Sequence, residues 1–244
     1  MRRPLLVLVS AVALLVLALA VAGCGGDDDG DEEAAATTTA TAGEEGAETT
    51  ETAGDTGETA AGCEEVAQPE PKPEGQLQAP STVLNVDKTY EVLVETSCGE
   101  FTITLDPKAS PKTTSSFVAL AQDGFFDGTV FHRIVPGFVI QGGDPTASGG
   151  GGPGYSTVDK PAATTRYTKG VVAMAKTPTE AAGTSGSQFF VVTAEDAGLP
   201  PDYAVIGTVS DGLDVVERIG VLGDPNTQLP TQPVVVTRMT VRIT

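Results

Sequence analysis

Residues 131–145, Phe-His-Arg-Ile-Val-Pro-Gly-Phe-Val-Ile-Gln-Gly-Gly-Asp-Pro, predict two short strands that meet at a tight corner. The corner is Pro136-Gly137, because proline fixes one backbone dihedral angle and glycine permits the next. Side chains alternate between the two faces of a strand. One face is therefore predicted to carry Phe131, Arg133, Val139 and Gln141. A cationic group, an amide and apolar side chains on one surface indicate a binding site; the alternative is a plain hairpin with a solvated arginine and core aromatics.

Further strand and helix signals lie on both sides of this stretch. Strands are predicted, from alternation or from short apolar runs, over residues 89–96, 99–106, 170–174, 187–193, 203–209 and 234–243. One helix is predicted to begin at Ser110-Pro111 and to end at Gly124, and a second over residues 211–219 with Asp211 as its cap. About eight strands and two helices without internal repeats predict an all-β (mainly β) protein: a closed, eight-stranded antiparallel barrel with two α-helices.

The charge of the chain and its glycine-rich run exclude two classes of ligand. With 33 acidic and 14 basic side chains, the net charge of −19 would repel the phosphates of a nucleic acid. Residues 148–154 satisfy the spacing GxGxxG, yet no helix follows, and Pro153 lacks the N–H that a phosphate-binding turn needs. We expect neither a nucleic-acid partner nor nucleotide binding, and residues 148–154 are predicted to form a mobile surface loop.

The single histidine argues against two catalytic classes. A Ser/His/Asp hydrolase needs a nucleophile that the histidine orients, but the chain has no Gly-x-Ser-x-Gly elbow around which His132 could act. A metal site needs three or more clustered donors, which one histidine without a free cysteine does not supply. We therefore expect no metal and no cofactor.

The N-terminus predicts an export signal. Two arginines precede a long apolar run, and Val21-Ala-Gly-Cys24 resembles a bacterial lipobox, where the signal is cut before a cysteine that carries lipid. Residues 1–23 are interpreted as a lipoprotein signal peptide and Cys24 as the lipidated residue, with palmitate as an acyl group; an uncleaved membrane anchor is the alternative. The positive flank predicts that the rest of the chain lies on the extracytoplasmic side of the cell membrane.

Residues 24–62 have the composition of a disordered tether. Residues 25–62 hold twelve acidic side chains and no basic one, and they lack aromatic residues, Ile, Leu, Val and Met. Such a segment buries too little apolar area to offset the entropy lost on ordering, so it is predicted to be a disordered, acidic, lipid-anchored linker. An acidic metal-binding tail is the alternative, but its carboxylates have no regular ligand spacing.

Cys63 and Cys98 are the cysteines that remain once Cys24 is lipidated. An even pair beyond an export signal predicts one disulfide, which would tie a Pro-rich lead-in, residues 63–87, to the first strands. A metal or redox pair is the alternative, although neither a neighbouring histidine nor CxxC spacing supports it. The folded domain is predicted over residues 88–244.

Three motifs stand in one order along this domain. The first is residues 131–145. The second is Gly170-Val-Val-Ala-Met-Ala-Lys176 followed by Gly183-Thr-Ser-Gly-Ser-Gln-Phe-Phe190, and the third, which fits more loosely, is Tyr203-Ala-Val-Ile-Gly-Thr-Val209. Together they resemble the signature of the cyclophilins, a family of peptidyl-prolyl cis–trans isomerases. The resemblance runs from about Lys88 to the C-terminus, some two-thirds of the chain, and it implies the cyclophilin barrel with a helix at each end.

The resemblance also implies roles for individual residues. Arg133 corresponds to the catalytic arginine, and Gln141 to the glutamine that helps to place the substrate and the arginine. The proline pocket corresponds to Phe138, Val139, Phe190 and Leu199. The neighbouring peptide groove corresponds to Ala175, Lys176 and Gln188. For each apolar residue of this set, a plain core position is the alternative.

The chain departs from the family pattern at four positions. Val139 is smaller than the methionine of many cyclophilins, and Asp196-Ala-Gly-Leu199 replaces their tryptophan. Lys176 stands in place of asparagine, and Tyr203 in place of histidine. A phenol can still donate a hydrogen bond to a substrate carbonyl, so these departures bear on inhibitors such as cyclosporin more than on catalysis.

The function that the resemblance implies is rotation of X–Pro bonds in exported proteins, and thereby assistance to their folding. The expected partners are proline-containing segments and, through the lipid anchor, the membrane; the chain is expected to be a monomer. Two alternatives stay open: a non-catalytic proline-peptide-binding chaperone or scaffold, and a structural lipoprotein with a degraded pocket. Arg133 together with Gln141 favours the enzyme, because a pure binder does not need both.

Overall fold

The computed structural model describes residues 62–244, and the predictions for residues 1–61 lie outside it. The strands are β1 (Tyr90–Thr96), β2 (Gly99–Leu105), β3 (Thr129–Val130), β4 (Arg133–Val135), β5 (Val139–Gly142), β6 (Thr157–Val158), β7 (Val171–Met174), β8 (Thr184–Ser185), β9 (Phe189–Val192), β10 (Val205–Asp211) and β11 (Val235–Ile243). The helices are α1 (Pro111–Gln122) and α2 (Leu213–Gly220). Neither helix of this described part is long and apolar enough to cross a membrane.

The main sheet is open and curled, so the predicted closed eight-stranded barrel is wrong. Nine antiparallel strands follow the order β3-β11-β1-β2-β10-β7-β9-β5-β4, and β6 pairs separately with β8. The edge strands β3 and β4 are separated in the chain only by Phe131 and His132, yet they lie at opposite ends of the strand order and do not pair with each other. The N–H of Ile134 in β4 instead donates to the carbonyl of Gln228, at 2.9 Å, in the loop after α2.

The strand count also exceeds the prediction, for a simple reason. The strands β3, β6 and β8 contain two residues each and β4 contains three. Alternation over two or three residues cannot be told from chance, so periodicity reveals only the longer strands.

The strands β5, β7 and β9 carry apolar side chains on both faces of the sheet. Every residue of β7 and β9 is buried, as the continuous apolar runs predict. On β9, Phe189 and Val191 belong to a large inner core with α1, whereas Phe190 and Val192 belong to a second, outer cluster. The curled sheet is therefore covered on its inner face and keeps a second apolar surface on its outer face.

Helix α1 has the predicted bounds. Ser110 is its N-cap, Pro111 is its first residue, and Gly124 follows its end with a φ of +67°. The side chain of Ser110 makes no capping hydrogen bond. The carboxylate of Asp159 accepts the N–H of Thr113 instead, at 2.7 Å, so a distant loop supplies the cap.

Helix α2 begins later than predicted. The sequence predicts Asp211 as its cap, but Asp211 is the last residue of β10, and Gly212 is the N-cap with a φ of +73°. A Cβ atom at Gly212 would lie 2.5 Å from the carbonyl oxygen of Glu100. The junction therefore requires glycine, both for its dihedral angle and for the close approach of β2.

The Pro-rich lead-in lies along the domain and is fastened at both ends. The predicted disulfide is confirmed: Cys63 is bonded to Cys98 in the β1–β2 turn, and both are fully buried. Further along, the N–H of Lys72 donates to the carbonyl of Pro145 at 2.8 Å, and the lysine ammonium donates to the carbonyl oxygens of Phe125 and Asp127. The lead-in is thus an integral part of the described structure.

The glycine-rich loop is held more firmly than the predicted mobile loop would be. The buried carboxylate of Asp144 accepts hydrogen bonds from the backbone N–H groups of Thr146 (2.7 Å), Gly149 (2.6 Å) and Gly151 (3.2 Å). Burial by itself would raise the pKa of Asp144, but these hydrogen bonds and one from the Thr146 hydroxyl hold it below its usual value of 3.8. A single carboxylate organises the loop.

His132 is buried between β3 and β4. Its exposed fraction is 9%, and neither ring nitrogen has a hydrogen-bond partner within residues 62–244. Burial lowers the pKa of His132 below its ordinary value of 6.5; the Asp144 carboxylate opposes this shift and the Arg133 guanidinium adds to it. The fold therefore holds this imidazole neutral.

We expect the disulfide to stabilise the domain. Its cysteines are 35 residues apart, and closing such a loop is worth about 3–4 kcal/mol in the chain-entropy model. Reduction should lower the melting temperature by several degrees, measured by circular dichroism. The double variant Cys63→Ala, Cys98→Ala should melt at the lowered temperature and be insensitive to reductant. An unchanged melting temperature on reduction would contradict the stabilising role.

We expect the free energy of unfolding to decrease as the pH falls below about 6.5. The unfolded chain binds a proton at His132 near pH 6.5, whereas the folded chain does so only below that value, so acid favours the unfolded state. The loss should be at most about 1.4 kcal/mol per pH unit between the two pKa values.

Urea titrations between about pH 7 and about pH 5 measure this slope. His132 is the chain's only histidine, so His132→Gln should flatten it. The stability that the Asp144 hydrogen bonds contribute is lost only as the pH falls below 3.8, because the pKa of Asp144 is lowered in the folded chain. This loss therefore lies outside the pH range of the titrations. Equal slopes in parent and variant would show that His132 is not the group responsible.

Candidate active site

The hairpin of β4 and β5 brings Arg133 and Gln141 together. Arg133 is paired with Gln141 across the hairpin, and Val135 with Val139, around the Pro136-Gly137 corner that the sequence predicts. Paired residues of neighbouring strands point to the same face. Phe131 does not join them: it precedes β4, its alternation is broken at His132, and it is buried in the inner core against Phe189. The prediction that Phe131 shares this surface is wrong.

A row of cross-strand partners extends this face over four strands. Arg133 on β4 is opposite Gln141 on β5, Gln141 is opposite Phe190 on β9, and Phe190 is opposite Ala173 on β7. The row runs from a cation, through an amide, to an aromatic ring. It places the predicted catalytic arginine and a predicted pocket residue on the same side of the sheet.

The guanidinium of Arg133 is held by two neutral amides. Its Nε donates to Oε1 of Gln228 at 2.8 Å, and its Nη1 donates to Oε1 of Gln141 at 3.3 Å. Arg133 is half-buried and forms no ion pair with any residue between 62 and 244. Since a guanidinium has five N–H donors, the remaining donors and the full positive charge are available to a ligand.

Gln141 is itself fixed by a second glutamine. Its Nε2 donates to Oε1 of Gln188 at 3.0 Å. Gln188 in turn donates through Nε2 to the carbonyl oxygens of Gly149 (2.9 Å) and Gly151 (3.0 Å). The direction of each amide is set by the next partner, so the oxygen of Gln141 is turned towards Arg133. The glycine-rich loop is thus the outer support of the polar row.

The predicted pocket residues lie together in the outer cluster. Its buried members are Val139, Tyr167, Val171, Ala173, Phe190 and Val192. Partly buried against them are Val135, Phe138, Ala175, Ala194, Ala197, Leu199, Tyr203 and Val205. All four residues that the resemblance assigns to the proline pocket belong to this one surface, beside the polar row. None of the four lies in the inner core, although Val139 and Phe190 are themselves buried within the outer cluster.

Tyr167 is a site residue that the sequence reasoning missed. Its ring is fully buried beneath Phe190 and Tyr203, with centroids 6.3 and 5.9 Å away. Its hydroxyl donates to the carbonyl of Tyr203 at 2.7 Å and accepts the N–H of the same residue at 3.0 Å. Burial raises the pKa of Tyr167 above its usual value of 10.0, so the phenol stays protonated. Tyr167 thereby fixes the backbone of Tyr203, whose ring stands edge-on to Phe190 at 5.5 Å.

Gln228 is the second residue that was missed. It lies 95 residues from Arg133 in sequence, in the loop after α2, and no motif marks it. Its φ of +61° is unusual for a residue other than glycine. Backbone and side chain act together there, because the Gln228 carbonyl binds β4 at Ile134 while the side chain binds Arg133.

A cavity of about 430 Å³ adjoins the polar row; we call it the groove cavity. It contacts Gln141, Ala175, Lys176, Gln188 and the loop residues 149–154. The three residues predicted to line a peptide groove therefore do line one cavity. The Lys176 ammonium lies 5.6 Å from the centroid of the Tyr203 ring, which connects this cavity to the outer cluster.

The groups at this site are suited to binding and to hydrogen-bond donation. Within residues 62–244 no three histidine, cysteine, aspartate or glutamate side chains cluster in a way that could hold a metal ion. The polar row offers a fixed cation and fixed amides, and the adjoining surface is apolar. Such a site can recognise a peptide and stabilise a change in the polarity of one of its bonds.

Comparisons with known proteins agree on one family. The sequence model of the cyclophilin type peptidyl-prolyl cis-trans isomerases matches residues 91–241. A peptidyl-prolyl cis-trans isomerase of Arabidopsis thaliana is 37% identical over 152 residues, which cover 61% of this chain and 91% of the relative. The probable peptidyl-prolyl cis-trans isomerase A of Mycobacterium leprae is 36% identical over 166 residues, covering 61% and 90%.

A solved structure supports the same assignment. The cyclophilin type peptidyl-prolyl cis-trans isomerase of Cryptosporidium parvum has a TM-score of 0.58 and 27% identity, and the match covers 63% of this chain and 98% of that one. The family match, the curated relatives and the arginine–glutamine row beside an apolar surface point the same way. This chain belongs to the cyclophilin-type peptidyl-prolyl cis–trans isomerases, and the reaction that it catalyses is rotation about the peptide bond that precedes proline.

Proposed function

We propose that this isomerase stabilises the twisted X–Pro bond through Arg133 and binds the proline ring on the outer cluster. The barrier to rotation is amide resonance, and the uncatalysed reaction takes about 10–100 s near room temperature. As the bond twists, the prolyl nitrogen regains a lone pair that can accept an N–H. A donor aimed at that position would favour the transition state over the planar ground state.

The transition-state stabilisation that catalysis needs is within the range that such a site can supply. Shortening about 100 s to about 10 ms needs a factor of about 10⁴, or about 5–6 kcal/mol. A preorganised donor aimed at charge that develops in the transition state contributes about 3–4 kcal/mol. The apolar surface would supply the rest, because a twisted amide is less polar than a planar one and loses less on leaving water.

The observation that carries the proposal is the way in which Arg133 is held. Its two fixed contacts are with amide oxygens of Gln228 and Gln141, which orient the guanidinium without neutralising it. A carboxylate in either position would hold the arginine more strongly but would weaken the field that acts on the substrate. Held by neutral partners, the guanidinium is suited to donate to a nitrogen that becomes basic only in mid-rotation.

A pure proline-peptide binder or scaffold is the competing role for the same surface. It would need the outer cluster, including Phe138, Phe190 and Leu199, but not an arginine fixed on both sides. The two amide contacts are therefore the feature that favours catalysis over binding alone.

We further propose that the enzyme acts outside the cytoplasm, anchored in the cell membrane by lipid on Cys24. The lipobox-like residues 21–24 and the acidic residues 25–62 motivate this proposal from sequence. The buried Cys63–Cys98 disulfide supports it, because stable disulfides are rare in the reducing cytosol. The substrates would be proline-containing segments of exported proteins, handled by a monomer without a cofactor.

We expect Arg133→Ala to decrease kcat/KM for an Ala-Pro peptide by about 10²–10³, since it removes the transition-state donor. Isomerisation can be followed by exchange NMR. Peptide affinity and melting temperature should change little, because the outer cluster is intact. Arg133→Lys should recover only part of the activity, since an ammonium lacks the planar fork that both glutamines hold.

The matched control is Arg238→Ala, which removes an exposed arginine from β11. It should leave kcat/KM unchanged. Equal turnover in Arg133→Ala and the parent would refute the role assigned to Arg133. A parallel loss of affinity would instead favour the binding role.

We expect Cys24→Ala to release the chain from the membrane fraction of a bacterial host and to abolish labelling with radioactive palmitate. The physical reason is that two or more acyl chains are needed for stable anchoring. Cys63→Ala with Cys98→Ala is the matched control and should stay membrane-bound. Palmitate labelling that persists in Cys24→Ala would refute lipidation at Cys24; membrane retention alone would not, because an uncleaved apolar run before residue 24 can itself hold the variant in the membrane.

A further inference from the structure

One wall of the groove cavity is contributed by the Pro-rich lead-in, residues 63–87. Glu74 lines this cavity, although it lies outside residues 91–241, the part that matches the family. A catalytic domain trimmed to the family match would lack this wall. Part of the lining of the groove cavity therefore comes from outside the segment that matches the family.

The backbone around Glu74 is fixed against the glycine-rich loop. The N–H of Gly75 donates to the carbonyl of Gly152, and the N–H of Leu77 donates to the carbonyl of Pro153, each at 2.9 Å. A Cβ atom on Gly75 would lie 2.8 Å from backbone atoms of Pro153, so the two segments are in close contact. Glu74 thus has a defined place at the rim and is not on a loose tail.

Three charged side chains line the cavity, and two of them are committed elsewhere. The Lys176 ammonium donates to the carbonyl oxygens of Thr177 and Glu180, both at 3.2 Å, and lies over the Tyr203 ring. The Glu180 carboxylate accepts the N–H of Thr177 at 2.6 Å and its hydroxyl at 2.9 Å.

Glu74 differs from both of these side chains. Its carboxylate makes no hydrogen bond or ion pair with any residue of the described domain. With two carboxylates and one ammonium, the side chains that line the groove cavity carry a net negative charge, and Glu74 is the carboxylate without a partner in the described domain.

We propose that Glu74 is a specificity-determining residue that favours substrates with a lysine or arginine side chain close to the proline. The inference rests on the proposed function, in which the X–Pro bond lies at Arg133 and the peptide continues past Gln141. Gln141 contacts both Arg133 and the groove cavity, so a substrate residue within about two positions of the proline can reach the cavity. A basic side chain there meets the free carboxylate of Glu74.

The expected preference is small and depends on salt. Glu74 is exposed, and exposed ion pairs are worth about 0.2–1 kcal/mol, which corresponds to about a 1.4- to 5-fold ratio in kcat/KM. Screening at about 1 M salt should remove most of it, because the Debye length falls to about 3 Å. A change in kcat/KM that came from lost packing would not depend on the salt concentration. The salt dependence therefore distinguishes an effect of the Glu74 charge from an effect of packing.

The test uses the full chain and two series of peptides with blocked ends. One series is X-Ala-Pro-Ala and the other is Ala-Ala-Pro-X, with X as Lys, Gln or Glu. In the parent, kcat/KM for the Lys peptide should exceed that for the Gln peptide by about 1.4- to 5-fold in at least one series, with the Glu peptide lowest. Glu74→Gln should bring the Lys-to-Gln ratio to about one, and Glu74→Lys should reverse the order.

Glu70→Gln is the matched control, because Glu70 is an exposed glutamate of the same lead-in that does not line the cavity. It should keep the parent's ratio. Ratios that Glu74→Gln leaves unchanged in both series, or that Glu70→Gln changes equally, would overturn the inference. The same ratios can be read from peptide dissociation constants by NMR titration. A parent that fails to accelerate the Gln peptides would therefore contradict the proposed function while leaving the Glu74 test readable.

Discussion

The site depends on an arginine that is held without being neutralised. Arg133 is fixed by the side-chain oxygens of Gln228 and Gln141, and Gln141 is fixed by Gln188. Gln141 and Gln188 each accept a hydrogen bond through the amide oxygen and donate through the amide nitrogen, so the order of the row sets the direction of both amides. An ionic partner would bind the guanidinium more strongly in the resting enzyme and leave less of its field for the substrate. Neutral partners keep the charge usable.

The sheet that carries this row must be apolar on both faces, and its sequence follows from that requirement. The inner face packs against α1, while the outer face carries the outer cluster, on which we propose that the proline ring binds. The strands β7 and β9 therefore have continuous apolar runs in which neighbours such as Phe189 and Phe190 serve opposite faces. Tyr167 packs beneath the outer cluster, and its hydroxyl bonds both the carbonyl and the N–H of Tyr203.

The sequence predicts features that depend on residues close together in the chain better than features that depend on residues far apart. The β4–β5 hairpin, the start of α1 at Ser110 and the Cys63–Cys98 pair rest on local patterns or on counting, and the structure has them. The open sheet could not be foreseen, because its edge is covered by a loop backbone and not by a strand. Gln228 could not be foreseen either, since nothing local indicates that a glutamine after α2 will meet an arginine 95 residues earlier. The resemblance named Gln141 because that residue stands inside a motif.

The glycine-rich loop is supported from three sides, and this explains how a run with so many glycines can border a site. Asp144 binds its N–H groups from beneath, Gln188 binds its carbonyls from the polar row, and the lead-in binds the carbonyls of residues 152 and 153 from outside. Glycine is needed for the close approaches, such as the 2.2 Å that would separate a Cβ on Gly151 from Asp144. The hydrogen bonds from Asp144, Gln188 and the lead-in offset the conformational entropy that these glycines lose on ordering. Because Gln188 also orients Gln141, hydrogen bonds connect the lead-in, through this loop, to the polar row that holds Arg133.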